Sequence, residues 1–307
     1  MKFRTILFSV SISLLYSCDT ANTLDDPSEN YFFKYYGSDG DQEGIDVVAG
    51  LDGYIYLLGN TNAPNSTVGK QLYLVKTEAD GVLIWEKTIG GKFDEEAKDL
   101  ELSNNQLVIL ANSKKGSEES DILLMTFSLD GNKIDSVLVG LKTISGAEAD
   151  DIGSSISQTS DGFIVSGSTT SVASKGTSGS ILPEDKMDVL HLRFSNNLTI
   201  FDEASWTRTS GTIGTDGASK VYQVNPSLFY VFGYTNINEG TGPSISNFNF
   251  WVYQLGSTGV TSGSQMYPGA LTNDVLTSVV TPPVGSTDGF LLVGTAEDGT
   301  GNFDIYV

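Results

Sequence analysis

Cysteine and histidine are almost missing from this 307-residue chain. Cys18 is the single cysteine, so no internal disulfide framework can form. His191 is the single histidine, which excludes zinc sites built from several histidines and leaves a Ser-His-Asp triad without support. Neither a disulfide scaffold nor a histidine-based metal enzyme is expected.

Basic residues are scarce as well, with 17 lysines and arginines against 38 aspartates and glutamates. Phosphate neutralisation requires a basic surface, so nucleic acid is not expected as a partner. Direct docking on anionic lipid is disfavoured for the same reason. The acidity indicates a soluble surface with some affinity for cations.

Long amphipathic helical patterns are also few. The chain instead has 34 glycines and many serines and threonines, a composition typical of short strands joined by turns. The apolar stretch Ile6–Tyr16 is too short to span a bilayer as a helix. Because Lys2 and Arg4 precede this stretch, residues 1–17 are predicted to be a signal peptide.

The signal peptide ends in a motif around Cys18. Leu15-Tyr16-Ser17-Cys18 resembles the bacterial lipobox, in which a small residue precedes an invariant cysteine. The resemblance implies cleavage before Cys18 and a diacylglycerol thioether on its sulfur, and hence a lipid anchor in a membrane. The alternative is an ordinary signal peptide with an incidental cysteine.

Residues 18–29 are polar and short of bulky apolar side chains, which is typical of a flexible tether. Acidic residues soon after the cysteine, such as Asp19, resemble the surface-export signals of Bacteroidota lipoproteins. The enterobacterial rule would instead interpret Asp19 as a signal for retention in the inner membrane. We expect an outer-membrane lipoprotein exposed on the cell surface, with a periplasm-facing protein as the alternative.

A short phrase recurs along the rest of the chain. In Asp161–Gly167 a turn dipeptide is followed by strand-forming residues and a closing glycine. The equivalent closing residues are small and lie at intervals of 52, 56, 66 and 61 residues: Gly59, Ala111, Gly167, Gly233 and Gly294. Five copies at such a period indicate a repeat architecture, and each copy can be divided into short strands. The predicted fold is all-β, a five-bladed β-propeller formed by residues 30–307.

The fifth copy lacks a fourth strand before the last residue, Val307. Tyr31–Gly37 matches the fourth-strand phrase of the first blade, Trp85–Gly91, with an aromatic start, a lysine and a closing glycine. We predict that this N-terminal strand pairs beside Ile305–Val307 in the C-terminal blade and closes the propeller, which would protect two sheet edges. The alternative is a truncated array whose missing strand, or further blades, lies beyond Val307.

The repeat resembles the DGGY-V-G propeller repeats of secreted and surface proteins of Bacteroidota. In the third copy the pattern is carried by Asp150, Gly153, Ile156, Thr159, Asp161–Gly167 and Asp188-Val189-Leu190. The second copy departs from the pattern, with Asn104-Asn105 in place of Asp-Gly. The resemblance covers nearly the whole mature chain and implies an extracytoplasmic scaffold or binding module. It carries no catalytic residue across.

A polar residue occupies the same position before the inner strand of every copy. These residues are Asp41, Asp94, Asp150, Thr215 and Asn273. At one mouth of the propeller channel they would form a ring of oxygen ligands for a cation or for sugar hydroxyls. Alternatively, each side chain caps its own turn, as Asp, Asn and Thr commonly do. Ser38–Asp46 begins like a calcium loop, but Gly50 stands where a bidentate glutamate is required, so neither a metal nor a cofactor is expected.

The sequence therefore predicts a monomeric, non-catalytic module of the cell envelope that binds a protein or a glycan. Two long loops from adjacent blades, Ser168–Lys186 and Tyr234–Phe248, are the expected binding face. His191 alternates with its neighbours in a strand and is expected to pack inside a sheet. The alternative function is a glycoside hydrolase, in which carboxylates of the predicted mouth ring converge from different blades.

Overall fold

The computed structural model describes residues 33–37, 40–62, 69–115, 119–143, 145–171, 187–200, 208–211, 215–236, 248–267, 274–280, 289–297 and 303–306. The chain divides into two compact units, Met1–Lys34 and Tyr35–Val307. Of the first unit only Phe33 and Lys34 are described, both in an irregular conformation. In all these ranges no helix is long and apolar enough to cross a membrane.

The second unit is built of five antiparallel sheets. The first blade consists of β1 (Asp41–Ala49), β2 (Ile55–Asn62), β3 (Gln71–Thr77) and β4 (Leu83–Ile89). The second blade consists of β5 (Asp94–Ser103), β6 (Gln106–Lys114), β7 (Ser120–Ser128) and β8 (Lys133–Val139). The third blade consists of β9 (Asp151–Gln158), β10 (Gly162–Thr169), β11 (Asp188–Ser195) and β12 (Arg208–Ser210).

The last two blades continue the same order. The fourth blade consists of β13 (Asp216–Asn225), β14 (Leu228–Thr235), β15 (Asn249–Gly256) and β16 (Thr261–Tyr267). The fifth blade, as far as its residues are described, consists of β17 (Asp274–Val280), β18 (Leu291–Glu297) and β19 (Phe303–Tyr306). Every strand pairs with its sequence neighbour in the same sheet. The predicted all-β, five-bladed β-propeller is thereby confirmed.

All five inner strands begin at an aspartate. The early part of β1 pairs with the end of β2, where Asp41 lies opposite Asn62. Residues 41–44 of β1 are polar or glycine, so their place in the ladder is set by backbone pairing and leaves no apolar signal in the sequence.

A β-bulge interrupts the pairing of the first and second strands in every blade. The register shifts lie between Gly44 and Asp46, Ala97 and Asp99, Ser166 and Gly167, Ala218 and Lys220, and Leu276 and Ser278. At the bulge the two backbones approach closely. A Cβ atom at Gly167 would collide with the carbonyl oxygen of Ile152, and one at Gly233 with that of Gly217. This close approach explains why the repeat phrase usually closes on glycine.

Four buried hydrophobic clusters lie between successive blades. Side chains from β2, β3, β5 and β6 fill the first of these interfaces, and the remaining three are filled in the same way. Alternate residues of one strand serve different interfaces, because Ile109 belongs to the first cluster and Leu110 to the second. The second strand of the second blade, β6, is therefore buried on both faces, and the apolar side chains are buried mainly by packing between blades.

The boundary between the fifth and first blades differs from the other four. Among the residues described, no buried apolar cluster joins these two blades, and Val47, Val280 and Leu291 are 56%, 54% and 49% exposed. Tyr35–Gly37 forms no strand, and the Tyr36 hydroxyl donates a hydrogen bond to the carbonyl oxygen of Gly81 at 2.8 Å. Closure by the N-terminal strand is therefore not found, and it stays a prediction.

Candidate functional site

The inner strands β1, β5, β9, β13 and β17 follow one another around the centre of the propeller. Two of the predicted mouth residues on these strands bind the backbone of the preceding blade. Asp94 Oδ1 accepts a hydrogen bond from the Lys70 amide at 2.7 Å, and Asp150 Oδ1 accepts one from the Ser120 amide at 2.9 Å. These carboxylates therefore link blades, which differs from the alternative drawn from the sequence, that each caps its own turn.

Two other mouth positions show no such link in the described ranges. Asp41 is exposed at the start of β1. Thr215 is half-buried, and its carbonyl oxygen accepts a hydrogen bond from the Asn236 amide at 3.0 Å. Asn273 lies outside the described residues, and the ring of oxygen ligands stays a prediction.

Buried amide side chains form a further link between blades. Asn112 accepts a hydrogen bond from the Gly153 amide at 2.8 Å and donates one to the Gly153 carbonyl at 3.3 Å. Asn60, at the equivalent position in the first blade, accepts one from the Ala97 amide at 2.8 Å. Each side chain thus holds the inner strand of the next blade at its bulge.

The residue that follows each bulge occupies an equivalent position in every inner strand, and we call this set the axial ring. Its members are Asp46, Asp99, Ser155, Lys220 and Ser278. Asp46 Oδ2 accepts a hydrogen bond from the Leu100 amide at 3.0 Å, and Asp99 Oδ2 accepts one from the Ile156 amide at 2.9 Å. Bulges commonly re-aim side chains in this way.

Lys220 breaks the pattern of the axial ring, because an ammonium group cannot accept a hydrogen bond. Its Nζ instead donates to Asp99 Oδ2 at 3.0 Å, which connects the fourth blade to the second. The side chain of Asp99 is 11% exposed and that of Lys220 is 30% exposed. The ion pair is thus partly shielded from water and still reachable from it.

Glu101 follows Asp99 on the same face of β5. Burial, together with the negative charges of Asp99 and Asp46, raises the pKa of Glu101 to about 7, while Lys220 acts in the opposite direction. Burial and a side-chain hydrogen bond to Asp99 also raise the pKa of Asp46. We call Asp46, Asp99, Glu101 and Lys220 the axial site. Near pH 7 it combines the partly protonated carboxyl of Glu101 with the ion pair of Asp99 and Lys220.

Pairs of acidic residues lie at two blade boundaries. A Cβ atom at Gly211 would collide with Asp188 Oδ1 and lie 2.9 Å from Asp216 Oδ2, so the two carboxyls are neighbours. Burial and the charge of Asp216 raise the pKa of Asp188 to about 7. Burial also raises the pKa of Asp151 to about 6, with contributions from Asp121 and Asp150. One carboxyl of each pair is therefore protonated over part of the neutral range.

His191 is fully buried between the third and fourth blades, as the sequence predicts. Its Nδ1 lies 2.9 Å from Ser166 Oγ, and its Nε2 is hydrogen-bonded to the Tyr253 hydroxyl. Burial lowers the pKa of His191 to about 3, so the imidazole is neutral at physiological pH. A neutral, inaccessible imidazole serves packing and hydrogen bonding between sheets.

Several predicted functional features lie outside the described residues. They are the signal peptide 1–17, the lipid-attachment residue Cys18, the tether 18–29, and most of the loops Ser168–Lys186 and Tyr234–Phe248. Within the part of the chain that is described, no three His, Cys, Asp or Glu side chains are grouped so as to hold a metal ion.

Sequence reasoning missed the axial site. The sequence signal for it is an alignment of the five inner strands at their bulges, in which Lys220 of the fourth blade takes the position of Asp46 and Asp99. Each bulge inserts one extra residue and so breaks the simple alternation of the strand. An alignment that ignores the bulges does not match Lys220 with these aspartates.

Comparisons with known proteins identify no family for this chain. No family model and no curated protein matches the chain. An endo-arabinase from Bacteroides thetaiotaomicron is 12% identical, with 87% of this chain and 95% of that chain covered and a TM-score of 0.46. A levansucrase mutant of B. megaterium is 10% identical, covering 87% and 80% with a TM-score of 0.45. A hypothetical protein from Leishmania major is 9% identical, covering 88% and 86% with a TM-score of 0.41. Two of these three are enzymes by name, and at such identities and TM-scores the likeness carries no conclusion about this chain.

Proposed function

We propose that this chain is a lipid-anchored protein of the outer membrane whose β-propeller binds a protein or a glycan at the cell surface without catalysis. The proposal rests on the structural role of the aspartates that recur from blade to blade. Asp46, Asp94, Asp99 and Asp150 all accept hydrogen bonds from backbone amides of adjacent blades. Groups committed to joining blades support a scaffold that presents its loops.

The lipid anchor is tested by metabolic labelling with palmitate. The wild-type chain is expected to incorporate label and to partition with membranes, whereas Cys18→Ser is expected to do neither. Proteinase treatment of intact cells then separates a surface protein, which is digested, from a periplasm-facing one, which is protected. Label in the Cys18→Ser variant, or a soluble wild-type protein, would contradict the anchor.

The binding function is tested with a glycan array and with capture from solubilised envelope. The wild-type chain is compared with a variant in which Ser168–Lys186 and Tyr234–Phe248 are shortened to Gly-Ser turns. Loss of the captured partner is expected, because strands committed to blade packing leave recognition to loops. A partner retained equally by the shortened variant would reject these loops as the binding face.

A glycoside hydrolase is the second candidate, and the axial site favours it. Glycosidases use a carboxylic acid that is protonated near neutral pH beside a second carboxylate that is ionised. Glu101 has a pKa raised to about 7 and is affected by the charge of Asp99. If this function holds, release of reducing sugar from a polysaccharide should be lost in both Glu101→Gln and Asp99→Asn. Equal release by these variants and wild type would exclude the axial site as the catalyst.

A further inference from the structure

The two ends of the propeller differ in how the blades are connected. In each antiparallel blade, the turn between the first two strands and the turn between the third and fourth strands lie at the same end. In the first blade these turns are residues 50–54 and 78–82. We call this end the turn end. The opposite end, where the inner strands begin, is the loop end.

Successive blades point in the same direction. The Glu95 amide, near the start of β5, donates a hydrogen bond to the Lys70 carbonyl just before β3 at 3.0 Å. The Asp216 amide, at the start of β13, donates one to the Met187 carbonyl just before β11 at 2.7 Å. Loop end therefore meets loop end at these boundaries, and the turn ends of different blades form one surface of the propeller.

Exposed apolar side chains are concentrated at the turn end. Single exposed apolar residues are ordinary on a protein surface, but residues from several blades at one end mark an interaction surface. Large apolar side chains that are 43–100% exposed lie there on the first, second and fourth blades: Leu51, Leu83, Ile84, Ile134, Val224 and Val260.

Carboxylates are concentrated at the loop end. All five inner strands begin there at an aspartate, and Glu95, Glu96 and Asp150 lie beside these starts. The turn end carries carboxylates too, but Asp52 pairs with Lys76 at 3.4 Å. The propeller is therefore more apolar at one end and more acidic at the other.

The N-terminal segment reaches the propeller at the turn end. The Tyr36 hydroxyl donates a hydrogen bond at 2.8 Å to the carbonyl of Gly81, which belongs to the turn 78–82. From there the chain crosses to the loop end, where β1 begins at Asp41. Tyr35, just before this contact, is 98% exposed, and tyrosine is enriched at membrane interfaces.

The length of the predicted tether limits how far the turn end can lie from the lipid on Cys18. Residues 19–34 separate this cysteine from Tyr35. A flexible segment of that length spans about 22 Å on average. The 9 residues of β1 extend over about 30 Å, so the average tether is shorter than the propeller is tall. The turn end is therefore the end that an anchor on Cys18 holds near the bilayer.

We propose that the turn end rests on the bilayer that holds the lipid anchor, with Leu51, Ile134 and Val260 among the headgroups, and that the loop end faces away. This inference rests on the proposed anchor and adds the orientation of the propeller. Apolar side chains gain free energy at the interface, whereas a carboxylate-rich end is repelled by anionic lipid. The second strand β10 ends and β11 begins at the loop end, so the strands that flank one proposed binding loop point away from the membrane.

The experiment uses the full lipidated chain in vesicles of phosphatidylethanolamine and phosphatidylglycerol. Ile134→Cys and Val260→Cys at the turn end and Lys114→Cys at the loop end are each labelled with a polarity-sensitive fluorophore. The sulfur of Cys18 carries the lipid, so the introduced thiol is the only free one. Emission at positions 134 and 260 is expected to shift to shorter wavelength and to fall about twofold or more with nitroxide-bearing lipid, because interfacial side chains enter about 5–10 Å into the headgroup boundary. Position 114 is expected to keep its aqueous emission.

Strand β8 supplies a matched control. Ile134 and Leu138 are 52% and 48% exposed and lie toward opposite ends of this strand. With the label at position 260, Leu51→Ser combined with Ile134→Ser is expected to reduce the lipid quenching about twofold or more, since less apolar surface enters the interface. Leu138→Ser is expected to leave the quenching unchanged. Thermal unfolding of these variants shows that each keeps its fold.

Vesicle flotation separates this inference from the anchor on which it rests. A chain that floats but shows equal quenching at positions 134, 260 and 114, or stronger quenching at 114, would overturn the orientation and leave the anchor intact. A chain that does not float would contradict the anchor and the orientation together. A Cys18→Ser chain that dimerises, and that becomes monomeric on Ile134→Ser, would assign the turn end to a second copy and also overturn the proposal.

Discussion

At the scale of single residues, a related contact recurs at three blade boundaries with different chemistry. A residue at the start of a third strand lies near the acidic residue at the start of the next inner strand, and the pairs are Gln71 with Glu95, Asp121 with Asp151, and Asp188 with Asp216. The first boundary thus pairs an amide with an acid, and the other two pair an acid with an acid. The acid pairs are stable only while one partner keeps its proton.

The acid pair of the third boundary predicts a pH-dependent stability. The pKa of Asp188 is raised from 3.8 to about 7 in the folded chain, so its stabilising contribution is complete below pH 3.8 and is lost as pH rises toward 7. Asp188→Asn removes this loss. We expect it to raise the free energy of unfolding at pH 8 by about 1 kcal/mol, a figure reduced for solvent screening. Chemical denaturation between about pH 4 and pH 8 measures the difference in slope.

The reciprocal change is the control for this prediction. Gln71→Glu creates an acid pair beside Glu95, which is buried, at the first boundary. It is expected to lower stability at pH 8 by about 1 kcal/mol and to have less effect at pH 5. If Asp188→Asn left the pH dependence of unfolding unchanged, the two carboxyls would not share a proton.

At the scale of strands and blades, hydrogen bonds from side chains of one blade to the backbone of the next fix the position of neighbouring blades relative to one another. Asn112 uses its amide oxygen and nitrogen on both backbone groups of Gly153. Gly153 suits this contact because a Cβ atom there would crowd Leu110 Cδ1 at 2.9 Å. One buried side chain thus sets the height at which the third blade stacks on the second.

Removing this link should destabilise the propeller. Asn112→Ala leaves the amide and the carbonyl of Gly153 without partners in a buried setting, so we expect the free energy of unfolding to fall by about 2 to 3 kcal/mol. Asn132→Ala is the matched control, because Asn132 is exposed, and it should change stability by less than about 0.5 kcal/mol. Equal stability of the two variants would show that Asn112 does not hold the boundary together.

The elements themselves were accessible from sequence, while the links between them were not. The closing small residue and the alternating apolar residues of Asp161–Gly167 predict a strand, and β10 forms there. The contacts of Asn112 and Asp99 join residues of different repeats, and their polar side chains leave no periodic signal. The axial site depends on a bulge, which changes the facing of a residue without changing composition.

At the scale of the whole molecule, the boundary between the first and fifth blades differs from the other four. The other four boundaries have buried apolar clusters, and a further one would be expected to make unfolding more cooperative. Acidic residues far outnumber basic ones over the chain, 38 against 17, so closure must also overcome a general repulsion at low salt. Pairing of Tyr31–Gly37 beside Ile305 remains our prediction for this boundary.

Truncation distinguishes closure from a local contact. A variant beginning at residue 38 loses Tyr31–Gly37, and closure by this strand predicts a loss of several kcal/mol together with aggregation at the freed edges. Tyr36→Phe removes only the hydrogen bond to Gly81, made at 2.8 Å, and is expected to cost about 1 kcal/mol. Denaturant unfolding of both variants is compared with a chain beginning at residue 30. If truncation costs no more than Tyr36→Phe, residues 31–37 only rest against the first blade, and the boundary must be closed by other means.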